Sequence, residues 1–306
     1  MLNLAFGQIR DITTVSMQEV ELRSMQHTNC TYLGSNLMLC KILTRYKMFV
    51  DSRDIGVAAN ILMDGFWESW ITRFVVQHVQ PGNICIDAGA NFGYYSLIMA
   101  ELAGHEGKTI AVEPNSYLCK LLAHTSSVNG YGFGIEKRAL SDHRGEMTLM
   151  IPENFWGSAS LYPGKIEKNM HQETVQVETL DGMVERLELP RVDFIKMDCE
   201  GAEPMIFAGM EKTLQQNPQI KIVMEFSPFI YKDATAFTDY LFSRFEVSAI
   251  NNDASTKLFS ENDKEKLVQL TDHIDLFLEV KRVYAPVEKE EIQEETPVQM
   301  QTEIVL

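Results

Sequence analysis

Asn83-Ile84-Cys85-Ile86-Asp87-Ala88-Gly89-Ala90-Asn91-Phe92-Gly93-Tyr94-Tyr95 is an apolar strand that runs into an acidic residue and a turn punctuated by two glycines. A short apolar run marks a strand covered on both faces of a parallel sheet, and the chain leaving its carboxyl end must bend sharply to enter the next helix. Gly89 and Gly93 allow that bend and the close approach of a ligand. In open α/β proteins this end of the strand is where nucleotide-like ligands sit.

The turn also says which ligand it suits poorly. A dinucleotide fingerprint needs glycines at relative positions one, three and six, and here the later two are Asn91 and Tyr94. A phosphate-binding loop needs Gly-Lys-Ser/Thr after the turn, which is missing, and Asp87 at the mouth repels phosphate. A ligand with an adenosine, a free amino group and a positive centre fits better. The following strand, Lys108-Thr109-Ile110-Ala111-Val112, ends in Glu113-Pro114-Asn115. A carboxylate there can accept hydrogen bonds from both hydroxyls of a ribose. Glu113 by itself leaves S-adenosylmethionine and NAD both open.

Outward from this stretch, Pro81-Gly82 ends a helical pattern over Glu68–Val79, and strands then alternate with helices. Strands are expected at 83–88, 108–113, 133–140, 192–198 and 219–226, and helices at 92–103, 115–128, 200–216 and 234–244. Repeated βα units imply an α/β fold with a doubly wound, mostly parallel sheet. Glu246–Ile250 and Asp272–Val283 resemble a closing pair of strands. Arg144–Glu178 is read as an insertion: a strand at Glu146–Ile151, a polar loop through Asn154–Ser160 and a strand at Thr174–Glu178; long loops in compact domains are commonly functional.

Before the core, residues 1–80 form an N-terminal extension. Its first thirty residues read as a peripheral helix or arm, Asn36–Val50 as a hairpin and Asp54–Met63 as a short helix. Residues 81–284 form the ligand-binding domain with its insertion at 144–178. Residues 285–306 are Glu-rich, lack an apolar face and read as a disordered acidic tail.

A formal charge of −16 and a pI near 4.9 over 306 residues argue against nucleic acid and anionic membrane as partners, because phosphate contacts need clustered Lys and Arg. Five cysteines without CxxC spacing read as reduced thiols of a cytoplasmic protein. Neither a leader segment nor an apolar run of membrane-spanning length is seen. The seven histidines show no metal-ligand spacing and no decisive ligand set is read, so no metal is assigned; a metal bridging Asp198 and Glu225 stays an alternative.

Four elements in order resemble the FkbM family of S-adenosylmethionine-dependent methyltransferases: Asp87-Ala88-Gly89-Ala90-Asn91-Phe92-Gly93-Tyr94, Glu113-Pro114-Asn115, Ala139-Leu140-Ser141-Asp142 and Lys196-Met197-Asp198-Cys199-Glu200-Gly201-Ala202-Glu203. The last is the most family-specific, and the resemblance spans roughly residues 36 to 245. It implies a class I methyltransferase, Rossmann-like, with a seven-stranded sheet whose last strand is antiparallel. It also implies methyl transfer to oxygen, commonly a hydroxyl on a sugar or a secondary metabolite.

Site residues follow from the two readings together. Asp87, Gly89, Asn91 and Gly93 build the cofactor turn, and Glu113, Pro114 and Asn115 the ribose end. Ser141 and Asp142 stand where such enzymes contact adenine, with ordinary turn chemistry as the plain alternative. Glu68 is similar to a family acid near the methionine end of the cofactor, or it favours a helix N-terminus by charge alone. Asp198, at the carboxyl end of the fourth strand, is the first candidate for a catalytic carboxylate as well as a cofactor neighbour. Glu225 and His171 are further catalytic candidates; Glu200 and Glu203 open the next helix and one is expected to face the cleft. Lys196 is expected to pair with a carboxylate, and Trp156 to pack the insertion. N-methylation, an NAD-dependent oxidoreductase and a noncatalytic cofactor-binding module remain as alternatives. A small-molecule acceptor is the expected partner, and the oligomeric state stays open, a homodimer included.

Overall fold

The computed structural model describes residues 5–162 and 170–281, so the tail at 285–306 and part of the insertion lie outside the described residues. A short 3-10 turn (Ile9–Thr14) and helix α1 (Met17–His27) lead into an antiparallel meander of β1 (Asn29–Gly34), β2 (Leu37–Ile42) and β3 (Tyr46–Asp51). Helices α2 (Val57–Asp64) and α3 (Ser69–His78) follow, then β4 (Ile84–Ala88), α4 (Tyr94–Ala103), β5 (Lys108–Val112), α5 (Ser116–Asn129) and β6 (Gly134–Glu136). The insertion supplies β7 (Ala139–Leu140), β8 (Gly145–Pro152) and β9 (Met170–Glu178). The chain then returns through α6 (Leu180–Arg186), β10 (Phe194–Met197), α7 (Glu203–Ala208), α8 (Glu211–Gln216) and β11 (Lys221–Phe226). It ends in α9 (Ala234–Arg244), β12 (Phe245–Ile250), β13 (Thr256–Leu258), α10 (Lys264–Val268) and β14 (Ile274–Val280).

The central sheet runs β13-β12-β14-β11-β10-β4-β5-β6. β4, β5, β6, β10 and β11 pair in parallel, while β14 is antiparallel to both β11 and β12. Apart from the added edge strand β13, this is the class I methyltransferase arrangement. From β4 the chain steps outward to β5 and β6, then returns on the other side as β10 and β11. The reversal leaves a crevice over the carboxyl end of β4, the switch point where such sheets bind ligands.

The strands read as apolar because both of their faces are covered. All five residues of β4 are buried. Cys85, Ala111, Phe194 and Val223 face a core shared with the N-terminal extension, α4 and α5; Ile86, Ile110, Ile195 and Ile222 face a second core under α6–α9. The extension is fastened to the first layer by Glu101 of α4. Its carboxylate accepts from Ile9 N (3.1 Å), Arg45 Nη2 (2.7 Å) and Tyr46 Oη (2.6 Å).

Several elements differ from the sequence-based expectation. The strand expected at 133–140 is broken: β6 stays in the central sheet, but Ala139 and Leu140 pair with Val177 and Glu178 of β9 in a small sheet of order β7-β9-β8. The helix expected at 200–216 begins only at Glu203, because Glu200 and Gly201 take positive φ (50° and 96°). It also breaks at Gly209, where a Cβ would sit 2.2 Å from the Ser141 carbonyl oxygen. The hairpin expected over Asn36–Val50 is present as β2 and β3, and an unexpected strand, β1, joins it; β1 is mostly exposed and hence carries no alternating apolar signature.

Candidate active site

The glycine turn is shaped by its neighbours before any ligand is considered. Gly89 has φ +79°, and a Cβ there would lie 1.8 Å from the carbonyl oxygen of Asp198. The residue is glycine because the loops after β4 and β10 touch backbone to backbone. Gly93, at φ +90°, brings α4 against Leu122, which a Cβ would approach to 2.5 Å. Gly89 N and Ala90 N both donate to the Val112 carbonyl (3.0 and 3.1 Å), and Asp198 N donates to the Ala88 carbonyl (3.0 Å). The turn is therefore fixed to both adjacent strand ends.

Asn91 is left-handed, with φ +51°. Its amide N–H donates to Glu113 Oε2 (2.9 Å), and Asn115 N–H donates to Glu113 Oε1 (2.8 Å). Asn115 in turn caps α5 by accepting from Tyr117 N and Leu118 N. Burial pushes the Glu113 carboxyl up to about 7, against the two backbone donors that favour its charged form. Each oxygen keeps lone-pair capacity, since a carboxylate offers about four acceptor sites. Asn91 Oδ1 is buried without a hydrogen-bond partner among the described residues.

Gly89, Asn91, Glu113 and Pro114 line one cleft, whose walls are Val112, Leu140, Leu149 and Trp156 and whose far end is Asp198 and Glu200. Arg138 also lines it, but its guanidinium is engaged by Glu136 and Glu178 at 2.9 and 2.8 Å. A buried carboxylate, an orphan amide oxygen and apolar walls suit an adenosine carrying a positive centre. Among the described residues they offer no free cation to a phosphate.

Beyond Asp198 lies a group of acids around one cation. Lys196 Nζ pairs with Asp198 Oδ2 at 2.9 Å and lies 5.0 Å from the centroid of the Tyr95 ring. Burial alone would lower the lysine pKa, but Asp198, Glu68 and Asp87 hold it above the usual lysine value. Glu68 accepts from Tyr95 Oη (2.7 Å), and burial raises its carboxyl to about 7 despite Lys196. Asp87 accepts from Ser96 Oγ (2.5 Å) and is raised by burial to about 6. Its side chain thus serves α4 and Lys196, while its backbone shapes the turn.

Glu203 is buried and used structurally: Cys199 N donates to Oε1 (2.7 Å) and Gly201 N to Oε2 (3.0 Å). Glu200, not Glu203, faces the cleft. Glu225 accepts from Ser227 Oγ (2.9 Å) and is pushed up to about 7, first by burial and then by Asp198.

Other expected residues lie further off. From the third-strand segment the cleft is lined by Arg138, Ala139 and Leu140, one step before Ser141 and Asp142. Ser141 is buried with its Oγ near Asp142 Oδ1 (3.2 Å) and Tyr162 Oη (3.3 Å), and Asp142 pairs with His143 (2.6 Å). His171 is exposed on β9 and lines a separate, more open cleft that meets the first at Trp156. Trp156 is buried between Phe92, Tyr117 and Arg53. Among the described residues no group of three or more His, Cys, Asp or Glu is arranged to hold a metal ion.

Two anchors escape sequence reasoning. Asp54 accepts from Ala58 N and, far along the chain, from Trp156 N, both at 2.8 Å. Ser160 Oγ donates to the Glu200 carbonyl (2.6 Å). Asp54 carries a readable helix-start signal; its second bond, across about a hundred residues, leaves none.

The Methyltransferase FkbM domain family model matches residues 87–282, close to two thirds of the chain. The chain belongs to this family. No curated protein matches it. Similar solved structures include a SAM-dependent O-methyltransferase from Thermotoga maritima (15% identity, 71% of this chain and 66% of that one, TM-score 0.37). Others are an O-methyltransferase from Bacillus cereus with SAH (12%, 75% and 84%, 0.37) and a Pyrococcus abyssi tRNA (uracil-54, C5)-methyltransferase (10%, 81% and 45%, 0.42). The FkbM assignment rests on the family model. Among the described residues no helix is long and apolar enough to cross a membrane.

Proposed function

We propose that this FkbM methyltransferase uses S-adenosylmethionine to methylate a hydroxyl oxygen of a small-molecule acceptor, a sugar or a secondary metabolite. The observation that carries the reading is the Glu113 carboxylate, buried at the end of β5, oriented by two backbone N–H groups and opening on the cleft beside the orphan Asn91 oxygen. Glu113 would take the ribose hydroxyls, with Pro114 and Asn115 shaping that end. Val112, Leu140 and Leu149 would flank the adenine, with Ser141 and Asp142 behind them. Asn91, Glu68 and the Asp87–Gly93 turn would surround the amino-acid end.

When bound, S-adenosylmethionine supplies a methyl group on a positively charged sulfur. The chain's part is to hold the acceptor oxygen in line with that methyl and keep water out, an effect valued at roughly 7–11 kcal/mol in favourable intramolecular cases. A carboxylate at the Asp198 end of the cleft would take the hydroxyl proton, a contribution of about 10²–10⁴-fold. The acids around Asp198 also favour a cationic acceptor, which keeps an amine nitrogen as the second reading. The amino-terminal hairpin, the described part of the 152–172 insertion and the loop after Glu225 would form the acceptor side, on the 81–284 domain.

Calorimetry with S-adenosylmethionine, S-adenosylhomocysteine and NAD tests the donor, and a panel of hydroxylated sugars and metabolites tests the acceptor. Tight NAD binding without a response to either sulfur compound would overturn the reading.

A further inference from the structure

We propose that Glu200 is the catalytic carboxylate that takes the acceptor's proton, and that the positive charge of the methyl donor is what readies it. The inference rests on the proposed function and asks which acid at the end of the cleft is free to work. Asp198 gives Oδ2 to Lys196, Glu203 gives both oxygens to backbone N–H groups, and Glu225 accepts from Ser227. Glu200 lines the cleft, and its carboxylate makes no hydrogen bond among the described residues.

The loop that carries it is held rigidly. Glu203 clamps the amides on either side, at Cys199 and Gly201, and Ser160 of the insertion donates to the Glu200 carbonyl itself. Glu200 adopts φ +50°, a conformation that costs a non-glycine residue energy and persists only where the surroundings impose it. This backbone is held where Glu200 lines the cleft.

Among the described residues the charges acting on Glu200 are Lys196 in β10, Asp198 after it, Glu203 in α7 and Glu225 in β11, with His273 beyond Glu225. Burial comes first, then Asp198, Glu225 and Glu203, in pushing the Glu200 carboxyl up to about 9. Lys196 opposes them only in part. In the free protein at neutral pH the group is therefore protonated and cannot act as a base. An opposite charge within about 4–6 Å lowers a carboxyl pKa by roughly 1–3, so a sulfonium at this end of the cleft would shift the group toward its ionised form. As the acceptor oxygen forms its bond to the methyl carbon, the carbon–sulfur bond breaks, sulfur keeps the electron pair and becomes neutral, and the hydroxyl proton passes to Glu200. Loss of the positive charge then restores the protonated resting state.

The test is calorimetry of the full chain at pH 7.5 in phosphate and in Tris, whose ionisation enthalpies differ, with S-adenosylmethionine and S-adenosylhomocysteine as probes. For a fall of about 2 in the carboxyl pKa, S-adenosylmethionine is expected to release about 0.7 of a proton per site and the neutral homocysteine compound close to none. Glu200→Gln should abolish the release while binding S-adenosylhomocysteine within about twofold of wild type, which also shows that the variant is folded. Equal proton release by both compounds, or release that survives in E200Q, overturns the role of Glu200 and leaves the donor assignment standing. Failure of both compounds to bind the wild type overturns the donor assignment itself.

Discussion

Replacing Lys196 by Met should cost more stability than replacing its ion-pair partner Asp198 by Asn. At the observed 2.9 Å and an effective dielectric of about 20, the attraction between the two charges is about 6 kcal/mol before desolvation is set against it. Removing one member of a buried pair typically costs about 3–5 kcal/mol, because the other is left uncompensated. Lys196 serves three carboxylates, Asp198, Glu68 and Asp87. K196M strands all three, so the upper part of that range is expected. D198N leaves the lysine with Glu68 and Asp87, and should cost about 1–3 kcal/mol. The proton linkage gives a second reading of the same defect. Glu68 and Asp87 already have folded pKa values of about 7 and about 6, raised above their ordinary values, and loss of the cation raises them further. Their charge penalty is full above the folded pKa and absent below the unfolded one, so the K196M deficit should shrink as pH falls from 7 to 5. Urea unfolding followed by tryptophan fluorescence at pH 7, 6 and 5 measures both effects. A K196M deficit below about 1 kcal/mol at pH 7 would refute the argument, as would a larger loss in D198N.

Gly89→Ala should destabilise the protein by roughly 2–5 kcal/mol, combining left-handed strain with overlap on the Asp198 carbonyl, and weaken S-adenosylhomocysteine binding in parallel; wild-type urea midpoint and affinity would refute the backbone contact. Glu113→Gln places an amide N–H₂ against the Asn91 or Asn115 N–H, so cofactor affinity measured by calorimetry should fall at least about tenfold. An unchanged affinity would remove Glu113 from the site. Glu113, Glu203 and Glu225 are all raised to about 7 and Glu200 to about 9. Groups raised in the folded state contribute stability that is lost as pH rises through those values, so the ligand-free protein should be most stable near pH 5 and weaken toward pH 9. A thermal midpoint that climbs over that interval contradicts this set of shifts.

What the sequence shows well is what repeats or is purely local. The strands β4, β5, β10 and β11 are buried on both faces, so their apolar runs point to the right elements and to the crevice over β4. The place of Glu113 on the cleft is legible because a position at a strand end is itself the signal. The run from residue 133 to 140 failed because two stretches of the same extended conformation pair with different sheets, and pairing leaves no mark in one sequence. The division of labour among Asp198, Glu200 and Glu203 was likewise invisible. Which acid clamps the loop and which faces the cleft depends on the positive φ at Glu200 and Gly201 and on Ser160, some forty residues away.

The bonds converging on Glu101 tie the N-terminal extension to the segment that carries the cofactor turn. The family match begins at residue 87, after the whole N-terminal extension, yet a carboxylate inside that match takes the side chains of Arg45 and Tyr46 and the amide of Ile9. A chain started at residue 81 would leave an acid of α4 without these partners and bare the apolar layer that Ile42, Met48 and Phe74 now cover. The N-terminal extension is therefore expected to belong to the folding unit, and a methyltransferase segment moved into another protein without it is expected to lose stability.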